Sequence, residues 1–248
     1  MPYTQTAQHF LDASLQACRE VYGLLHSQLA KEDYEGDHIG AGGDLSLGID
    51  IKAEKLFFKH FEGFAAIDSE EFGLHGTGEY KVILDPIDGS DNFVSNFPYY
   101  GSSMALQYQD KTIAALVCNI ANGDIFYRIE GHPAVQASFH HNQTKNLEKN
   151  LHTKVGIFEK SALFPKIIDK LIESKLKFRS PGAVALSLVY AFDARYMIFI
   201  GPKRRFDLEA GLFITRDLYQ YESDNIIIIA YDETTFNSVK AIVLGELQ

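Results

Sequence analysis

Four short apolar runs follow one another between Ser102 and Phe139, and a turn-forming sequence separates each run from the next. The runs are SSMALQYQ, TIAALVCNI, DIFYRIE and AVQASFH, and the turns contain Gln-Asp-Lys, Asn-Gly-Asp and Gly-His-Pro. Runs of this length, rich in β-branched and aromatic residues and bounded by Gly, Asn, Asp or Pro, are typical of strands. The segment therefore predicts an antiparallel meander.

The chain on either side of this meander mixes helical and strand patterns. Apolar residues at three- and four-residue steps predict a helix over Phe10–Leu25, and Asp50 is a candidate N-cap of a second helix that ends near Phe61. Further strands are predicted at Ala65–Ile67, Val82–Leu84, KVGIF, LKFRS and ARYMIFI, and further helices around Phe164–Glu173, Val184–Phe192, Phe206–Arg216 and Phe236–Leu244. This mixture favours one layered α/β domain over residues 1–248, with lobes 1–145 and 146–248 around a cleft.

Composition limits the kinds of partner. The 248 residues are 46% hydrophobic and 23% charged, which are globular values, and the formal net charge is -10. Nucleic acid and anionic membranes attract basic surfaces, so neither is expected as the main partner. Cys18 and Cys118 lie in apolar contexts without metal-ligand spacing, and the N-terminus lacks a signal-peptide pattern, so we expect a reduced, cytoplasmic protein.

The stretch KVILDPIDGSDN places two acids, Asp85 and Asp88, at the end of an apolar run. Pro86 is expected to end the strand, because it has no backbone N–H to donate and restricts the residue before it. Gly89 permits a tight turn that returns Asp88 to the side of Asp85, and Ser90 begins a segment rich in helix-start residues. Two carboxylates beside the free amides of a helix start suit a phosphate bridged by Mg²⁺.

Three other interpretations of this stretch were weighed. An EF-hand loop fails, because counting from Asp85 puts Ile87 and Gly89 at ligand positions and Asn96 where a glutamate is needed. An aspartate-nucleophile phosphatase would need D-x-D, whereas the spacing here is D-x-x-D. A solvated turn is the plainest interpretation, but acids in matching contexts elsewhere weaken it, namely Glu70-Glu71 after another apolar strand and Asp207 in RFDLEAGLFI.

Five segments together resemble the signatures of the inositol monophosphatase-like family. They are DLSLGID ending at Asp50, SEE from Ser69, DPIDGSDNF from Asp85, RSPGAVALSLVYA from Arg179 and FDLEAG from Phe206. They occur in the family's order and span roughly Asp44 to Gly211. The resemblance implies a layered α/β/α/β/α sandwich of the inositol monophosphatase/fructose bisphosphatase type. It also implies a Mg²⁺-dependent, Li⁺-inhibited phosphomonoesterase, and a homodimer.

The resemblance assigns metal ligands residue by residue. Glu70, Asp85 and the Ile87 carbonyl would hold one Mg²⁺, and Asp85, Asp88 and Asp207 a second. A third, weaker ion in some members also uses Glu70. Two divalent cations in one site support in-line attack of water on a phosphate ester, which agrees with the chemistry read from the acids themselves.

Other residues are assigned to catalysis and substrate binding in the same way. Glu70 is also counted as catalytic. The Gly89 and Ser90 amides would bind phosphate, the Ser90 hydroxyl, oriented by Asp50, would position and deprotonate the attacking water, and Gly182 and Ala183 would contact substrate. From the sequence alone, Asp50 is equally compatible with a capping role.

Two features bear on the choice of substrate. Ile200 stands where the inositol-specific animal branch has a glutamate, so that contact to inositol is lost. The densest basic run, Lys203 to Arg205, ends two residues before Asp207, and we expect at least one of its side chains, Arg205 among them, to meet a second anionic group of a bisphosphate. Within enzymes the alternative is an aspartyl-phosphate phosphatase, and outside them a regulatory protein that keeps the fold.

Overall fold

Two twisted sheets dominate a computed structural model, which describes residues 4–43 and 45–247 apart from the side chains of Asp37 and Asn142. Asp44, where the family resemblance begins, therefore lies outside the described residues. The helices are α1 (Thr4–Leu25), α2 (Gly48–Phe61), α3 (Ser90–Val94), α4 (Pro165–Glu173), α5 (Val184–Val189), α6 (Arg205–Thr215) and α7 (Glu233–Glu246).

The strands of the described residues form one large and one small sheet, and a two-stranded hairpin. The hairpin is β1 (Gly36–Ile39) with β2 (Leu45–Leu47). The large sheet contains β3 (Ala66–Ser69), β4 (Gly73–His75), β5 (Tyr80–Asp88), β6 (Gly101–Tyr108), β7 (Lys111–Asn119), β8 (Asp124–Ile129), β9 (Val135–Ser138) and β10 (His141–Asn146), in the order 10-9-8-7-6-5-3-4. The small sheet contains β11 (Gly156–Phe158), β12 (Phe178–Arg179), β13 (Tyr196–Ile200), β14 (Tyr219–Glu222) and β15 (Ile226–Ala230), in the order 12-11-13-15-14.

Alternation along the strands explains how the sheets stack. In the small sheet, Met197 and Phe199 of β13 pack into the core between the sheets, whereas Ile198 packs on the outer side with α4 and α7. In the large sheet, Ile83 faces α5 and α6 while Leu84 faces α1 and α2. Successive side chains of a strand point to opposite faces, so each sheet is covered on both sides. The layers run α1/α2, large sheet, α5/α6, small sheet, α4/α7, which confirms the α/β/α/β/α prediction.

The structure extends and corrects the sequence predictions at several places. The meander is confirmed as β6 to β9 and continues into β10. The prediction that β5 ends at Pro86 is wrong, because β5 continues to Asp88 through a bulge between Asp85 and Asp88. The sequence analysis missed β14 and β15, although Ile226–Ile229 is the longest aliphatic run in the chain. The last strand of the large sheet ends at Asn146, and the first strand of the small sheet begins at Gly156. The division of the domain into lobes 1–145 and 146–248 stays a prediction.

No helix among residues 4–43 and 45–247 is both long and apolar enough to cross a membrane.

A fully buried acid, Glu54, lies on α2. Its Oε1 accepts the Phe72 N–H at 3.2 Å, while Oε2 is buried with no hydrogen-bond partner in the described chain. Burial first, and the nearby Glu71 carboxylate second among the raising causes, increase the pKa of Glu54 from 4.5 to about 7. A carboxyl whose folded pKa is raised stabilises the fold below its unfolded pKa, and that contribution is lost as the pH rises through the folded pKa.

We expect Glu54→Gln to flatten the pH dependence of stability. In the metal-free wild type, Glu54 lowers the free energy of unfolding between about pH 5 and pH 8, by roughly 2 kcal/mol. Urea unfolding at the two pH values, in EDTA, measures the difference. The exposed Glu79→Gln is the matched control and should keep the wild-type pH dependence. Equal pH dependence in Glu54→Gln and wild type would contradict the assignment.

Candidate active site

The bulge in β5 aims both acids of D-P-I-D into one cavity. Asp85 pairs with Ser103 of β6, pairing resumes at Asp88 opposite Gly101, and the intervening Pro86 carbonyl accepts the Ser102 hydroxyl at 2.7 Å. That bond satisfies the Pro86 carbonyl, while the proline has no N–H that would need a partner in the ladder. Pro86 therefore kinks the strand without ending it.

Gly89 makes the turn from β5 into the short helix α3. It has φ +87° and ψ +40°, a left-handed conformation that costs glycine little. A Cβ at this position would also lie 3.0 Å from the Ala183 Cβ and 3.1 Å from the Tyr99 carbonyl oxygen. The turn thus packs against residues 180–183, called here the 180s loop, and it leaves Ser90 as the first residue of α3, lining the cavity.

Three buried acids from different elements converge at the cavity floor. Glu70 follows β3 and donates its backbone N–H to Leu84 O at 3.0 Å, Asp85 lies in β5, and Asp207 lies in the first turn of α6. One carboxylate oxygen from each lies within 4.8 Å of the others. Such a group of hard oxygen ligands suits a divalent cation of the Mg²⁺ type.

The electrostatics of these acids favour a bound cation. Burial, followed by repulsion from Glu70, Asp88 and Asp207, raises the pKa of Asp85 well above its usual value. Its Oδ1 is buried without a hydrogen-bond partner among the described residues. A buried carboxylate oxygen left unpaired is costly unless a proton or a cation satisfies it. The residues present therefore fit a divalent ion.

Asp88 holds the N-terminus of α5. Its Oδ1 accepts the Val184 N–H at 3.0 Å, and its Oδ2 accepts those of Ala185 at 2.8 Å and Leu186 at 3.2 Å. Burial and then the Asp207 carboxylate raise its pKa, while these amides oppose the shift. Asp88 thus joins the large sheet to the layer between the sheets, in addition to its predicted role as a metal ligand.

The prediction that Asp50 is the N-cap of the second helix is wrong, because α2 begins at Gly48 and its N-cap is Leu47, while the catalytic role of Asp50 stays a prediction. Asp50 lies at the third residue of α2, where its Oδ2 accepts the Leu47 N–H at 2.9 Å, so it does stabilise the helix start. It also lines the cavity with Ser90, and its Oδ1 has no hydrogen-bond partner in the described part of the chain. Burial, followed by Glu71 and Glu70 among the neighbouring acids, raises the pKa of Asp50 to about 8.

The glycine-rich loop before β2, described over residues 40–43, contacts the backbone of Glu70 and Glu71. Gly42 donates its N–H to Glu70 O at 2.7 Å, and a Cβ at Gly42 would lie 2.6 Å from the Glu70 Cγ. Glu71 is 8% exposed and accepts the Ser46 hydroxyl, so it is part of the buried site and not a solvated side chain. The loop therefore sets the position of Glu70.

Sequence reasoning missed Glu159 and Lys160, which line the cavity from the small sheet. Glu159 is 2% exposed and accepts the Gly182 N–H at 3.0 Å and the Ser187 hydroxyl, and burial raises its pKa. The signal was available, because Glu159 follows an apolar strand, as Glu70 does. It fixes the loop that carries Gly182.

The three side chains of the basic run, Lys203 to Arg205, contact different acids. Lys203 contacts Glu222 at 2.6 Å, and Arg205 contacts Asp68 away from the cavity lining. Arg204, which was not singled out, is the member of the run that lines the cavity. Of the other predicted substrate contacts, Gly182 lines the cavity and Ala183 is buried against Gly89. Their roles in binding stay predictions.

The whole cavity has a volume of about 590 Å³ and a strongly acidic lining. It contains all five predicted metal-ligating residues, and it lies where the end of β5, the start of α6 and the 180s loop meet. A small phosphorylated metabolite fits this size.

Comparison with known proteins agrees with this geometry. The model of the inositol monophosphatase family matches residues 6–218. The bifunctional NADP phosphatase/NAD kinase of Methanocaldococcus jannaschii is 29% identical over 72% of this chain, which spans only 38% of that enzyme's length. The Nus factor SuhB of Xylella fastidiosa is 27% identical to this chain, over 73% of this chain and 69% of the length of SuhB. In fold, the chain resembles a solved inositol monophosphatase-fructose 1,6-bisphosphatase, with a TM-score of 0.77, 17% identity, and 93% and 98% of the two chains covered.

The layered fold thus carries a buried cluster of acids at the strand ends, an arrangement that suits a bound divalent cation. The match over residues 6–218 shows that the chain belongs to the inositol monophosphatase family.

Proposed function

We propose that this phosphatase hydrolyses a small phosphorylated metabolite with Mg²⁺, by direct attack of water. The observation that carries the proposal is the convergence of Glu70, Asp85 and Asp207, whose carboxylate oxygens lie within 4.8 Å of one another. Carboxylates held this close repel one another, so their convergence is costly unless positive charge is bound among them.

The chain's own residues divide into metal ligands and groups that act on substrate. Glu70, Asp85 and the Ile87 carbonyl would hold one Mg²⁺, and Asp85, Asp88 and Asp207 a second. Bound there, Mg²⁺ supplies charge stabilisation for the phosphoryl oxygens and the departing alkoxide.

The remaining groups orient the reactants. The Gly89 and Ser90 amides bind the phosphate, and the Ser90 hydroxyl positions the attacking water. Asp50, whose Oδ1 has no partner among the described residues, accepts a proton relayed by that hydroxyl. Gly182, held by Glu159, and Ala183 contact the rest of the substrate.

The substrate class that the cavity favours carries a second anionic group. Lys160 is, with Arg204, one of two cations in a mainly acidic part of the described lining, and it lies two residues after the end of β11. A relative whose name includes NADP phosphatase acts on a compound of this kind. Sugar bisphosphates and phosphonucleotides are therefore the first substrates to test.

Three further properties belong to the same proposal. Li⁺ inhibits the enzyme, the protein is a homodimer, and it works in the cytoplasm. The family resemblance supports the first two, and the free, buried thiols of Cys18 and Cys118 support the third.

A phosphate-release screen tests the proposal. The panel contains fructose 1,6-bisphosphate, inositol 1-phosphate, NADP and a 3′,5′-bisphosphonucleotide, each with Mg²⁺ and with EDTA. We expect Mg²⁺-dependent release from at least one bisphosphate or phosphonucleotide. Release unaffected by EDTA would overturn the role of Mg²⁺, whereas a trapped covalent phosphoenzyme would overturn direct water attack and favour an aspartyl-phosphate mechanism.

A further inference from the structure

Arg204 places a permanent positive charge among the acids of the proposed metal centre. It is the residue before α6, and its side chain is 31% exposed. Its Nη1 lies 2.7 Å from the Glu70 Oε1, and its Nε and Nη2 lie 3.0 Å and 2.9 Å from the Asp207 Oδ2. One guanidinium therefore bridges two of the three acids that converge at the cavity floor.

The cavity lining is heavily biased toward negative charge. Its carboxylates are Asp50, Glu70, Glu71, Asp85, Asp88, Asp91, Glu159 and Asp207. Against these eight acids stand only two cations in the described lining, Lys160 and Arg204. Arg204 is the one that contacts the metal-site acids, and its charge also lowers the pKa of Asp85 against the upward effect of burial. An arginine does not lose its proton in a protein, so this compensation persists at every accessible pH.

Arg204 and a divalent ion between Glu70 and Asp207 would exclude each other. An ion held by Glu70 Oε1 and Asp207 Oδ2 would need the two oxygens that the guanidinium already contacts. A second cation at these oxygens would also lie close to the guanidinium and be repelled by it.

We propose that Arg204 is a resident cation of the metal centre, which takes the place of a third divalent ion, between Glu70 and Asp207, and leaves room for the two ions proposed above. The chain consequently binds one ion fewer than its acids would hold without the arginine, and the acid cluster stays assembled without metal. This inference rests on the proposed function, since it assumes that the remaining acids bind divalent ions.

The competing explanation is that Arg204 is only a structural strap. Removing a strap lowers the stability of the metal-free protein but adds no metal site. Metal stoichiometry therefore separates the two explanations, and it needs no substrate and no activity.

The experiment counts Mn²⁺ ions bound to the whole chain, by electron paramagnetic resonance and by calorimetric titration after EDTA treatment. The variants are Arg204→Gln, Arg204→Lys and, as the matched control, Arg205→Gln. The control removes the same charge one residue away, where the side chain contacts Asp68 outside the cavity lining.

We expect Arg204→Gln to bind one more Mn²⁺ than wild type, with at least tenfold higher affinity for that ion. The metal-free form should melt at a lower temperature, and Mn²⁺ should raise its melting temperature by more than in wild type. Arg204→Lys keeps the charge but not the planar fork, so it should fold and bind Mn²⁺ several-fold more tightly than wild type. Arg205→Gln should match wild type in stoichiometry.

Equal stoichiometry and affinity in wild type and both Arg204 variants would overturn the inference, and would leave the proposed function intact. If Arg204→Gln does not fold, the lysine variant decides, because unchanged Mn²⁺ affinity in it would have the same meaning. Failure of wild type to bind any Mn²⁺ would instead overturn the proposed function, and the inference with it.

Discussion

Asp85→Asn is expected to lower kcat/KM by about 10³-fold while the metal-free protein stays at least as stable as wild type. Asp85 is shared by both proposed ions, and a neutral amide cannot replace its charge as a ligand. Without metal, the same carboxylate is buried beside Glu70, Asp88 and Asp207 and is destabilising, so its neutralisation relieves repulsion. One substitution should thus separate function from stability.

Two measurements on the same sample check this expectation. Phosphate release at saturating Mg²⁺ gives the loss of activity, and thermal unfolding with EDTA and with Mg²⁺ gives the two stabilities. We expect Mg²⁺ to raise the melting temperature of wild type and to have little effect on Asp85→Asn. Asp91→Asn is the control, since Asp91 is exposed on α3 and is not a predicted ligand. Near-normal turnover in Asp85→Asn would contradict the assignment of Asp85 as a ligand of the two proposed Mg²⁺ ions.

Ser90→Ala is expected to reduce kcat by about 10² to 10⁴-fold with little change in KM. The backbone amide that we propose binds phosphate survives the substitution, whereas the hydroxyl proposed to position water is lost. Asp50 keeps its bond to the Leu47 N–H in the variant, so the start of α2 should be undisturbed.

Ser90→Thr is the matched variant, because it keeps the hydroxyl at the same atom. It should retain activity within a few-fold of wild type. Steady-state kinetics separate kcat from KM, and inhibition by inorganic phosphate reports binding of the product. If alanine raises KM alone, Ser90 binds substrate and does not take part in the chemical step.

Much of the fold was predictable because local pattern and tertiary role coincide. The meander reads clearly, since its strands alternate and its turns carry Asn, Asp and Gly. The run Val82–Leu84 was equally clear, yet its continuation to Asp88 was not, because the Ser102 hydroxyl that satisfies Pro86 comes from a neighbouring strand. Long-range partners of this kind leave no local signal.

The candidate site divides in the same way. Asp85 and Asp88 could be predicted from their spacing after an apolar strand. Glu70 could be predicted because it too follows an apolar strand. The place of Arg204 between Glu70 and Asp207 could not be predicted, because adjacent basic residues look alike in sequence. Only the start of α6 decides which of Arg204 and Arg205 turns toward the cavity and which toward Asp68.

The amide contacts of Asp88 have a consequence for motion. A single carboxylate of the large sheet receives the first three N–H groups of α5. Any separation of that sheet from the helical layer must therefore break the site and expose these amides together. Hydrogen exchange at the backbone amides of Val184, Ala185 and Leu186 should consequently slow when divalent ions bind. The exchange rates of these three amides would then report how often the large sheet and the helical layer separate.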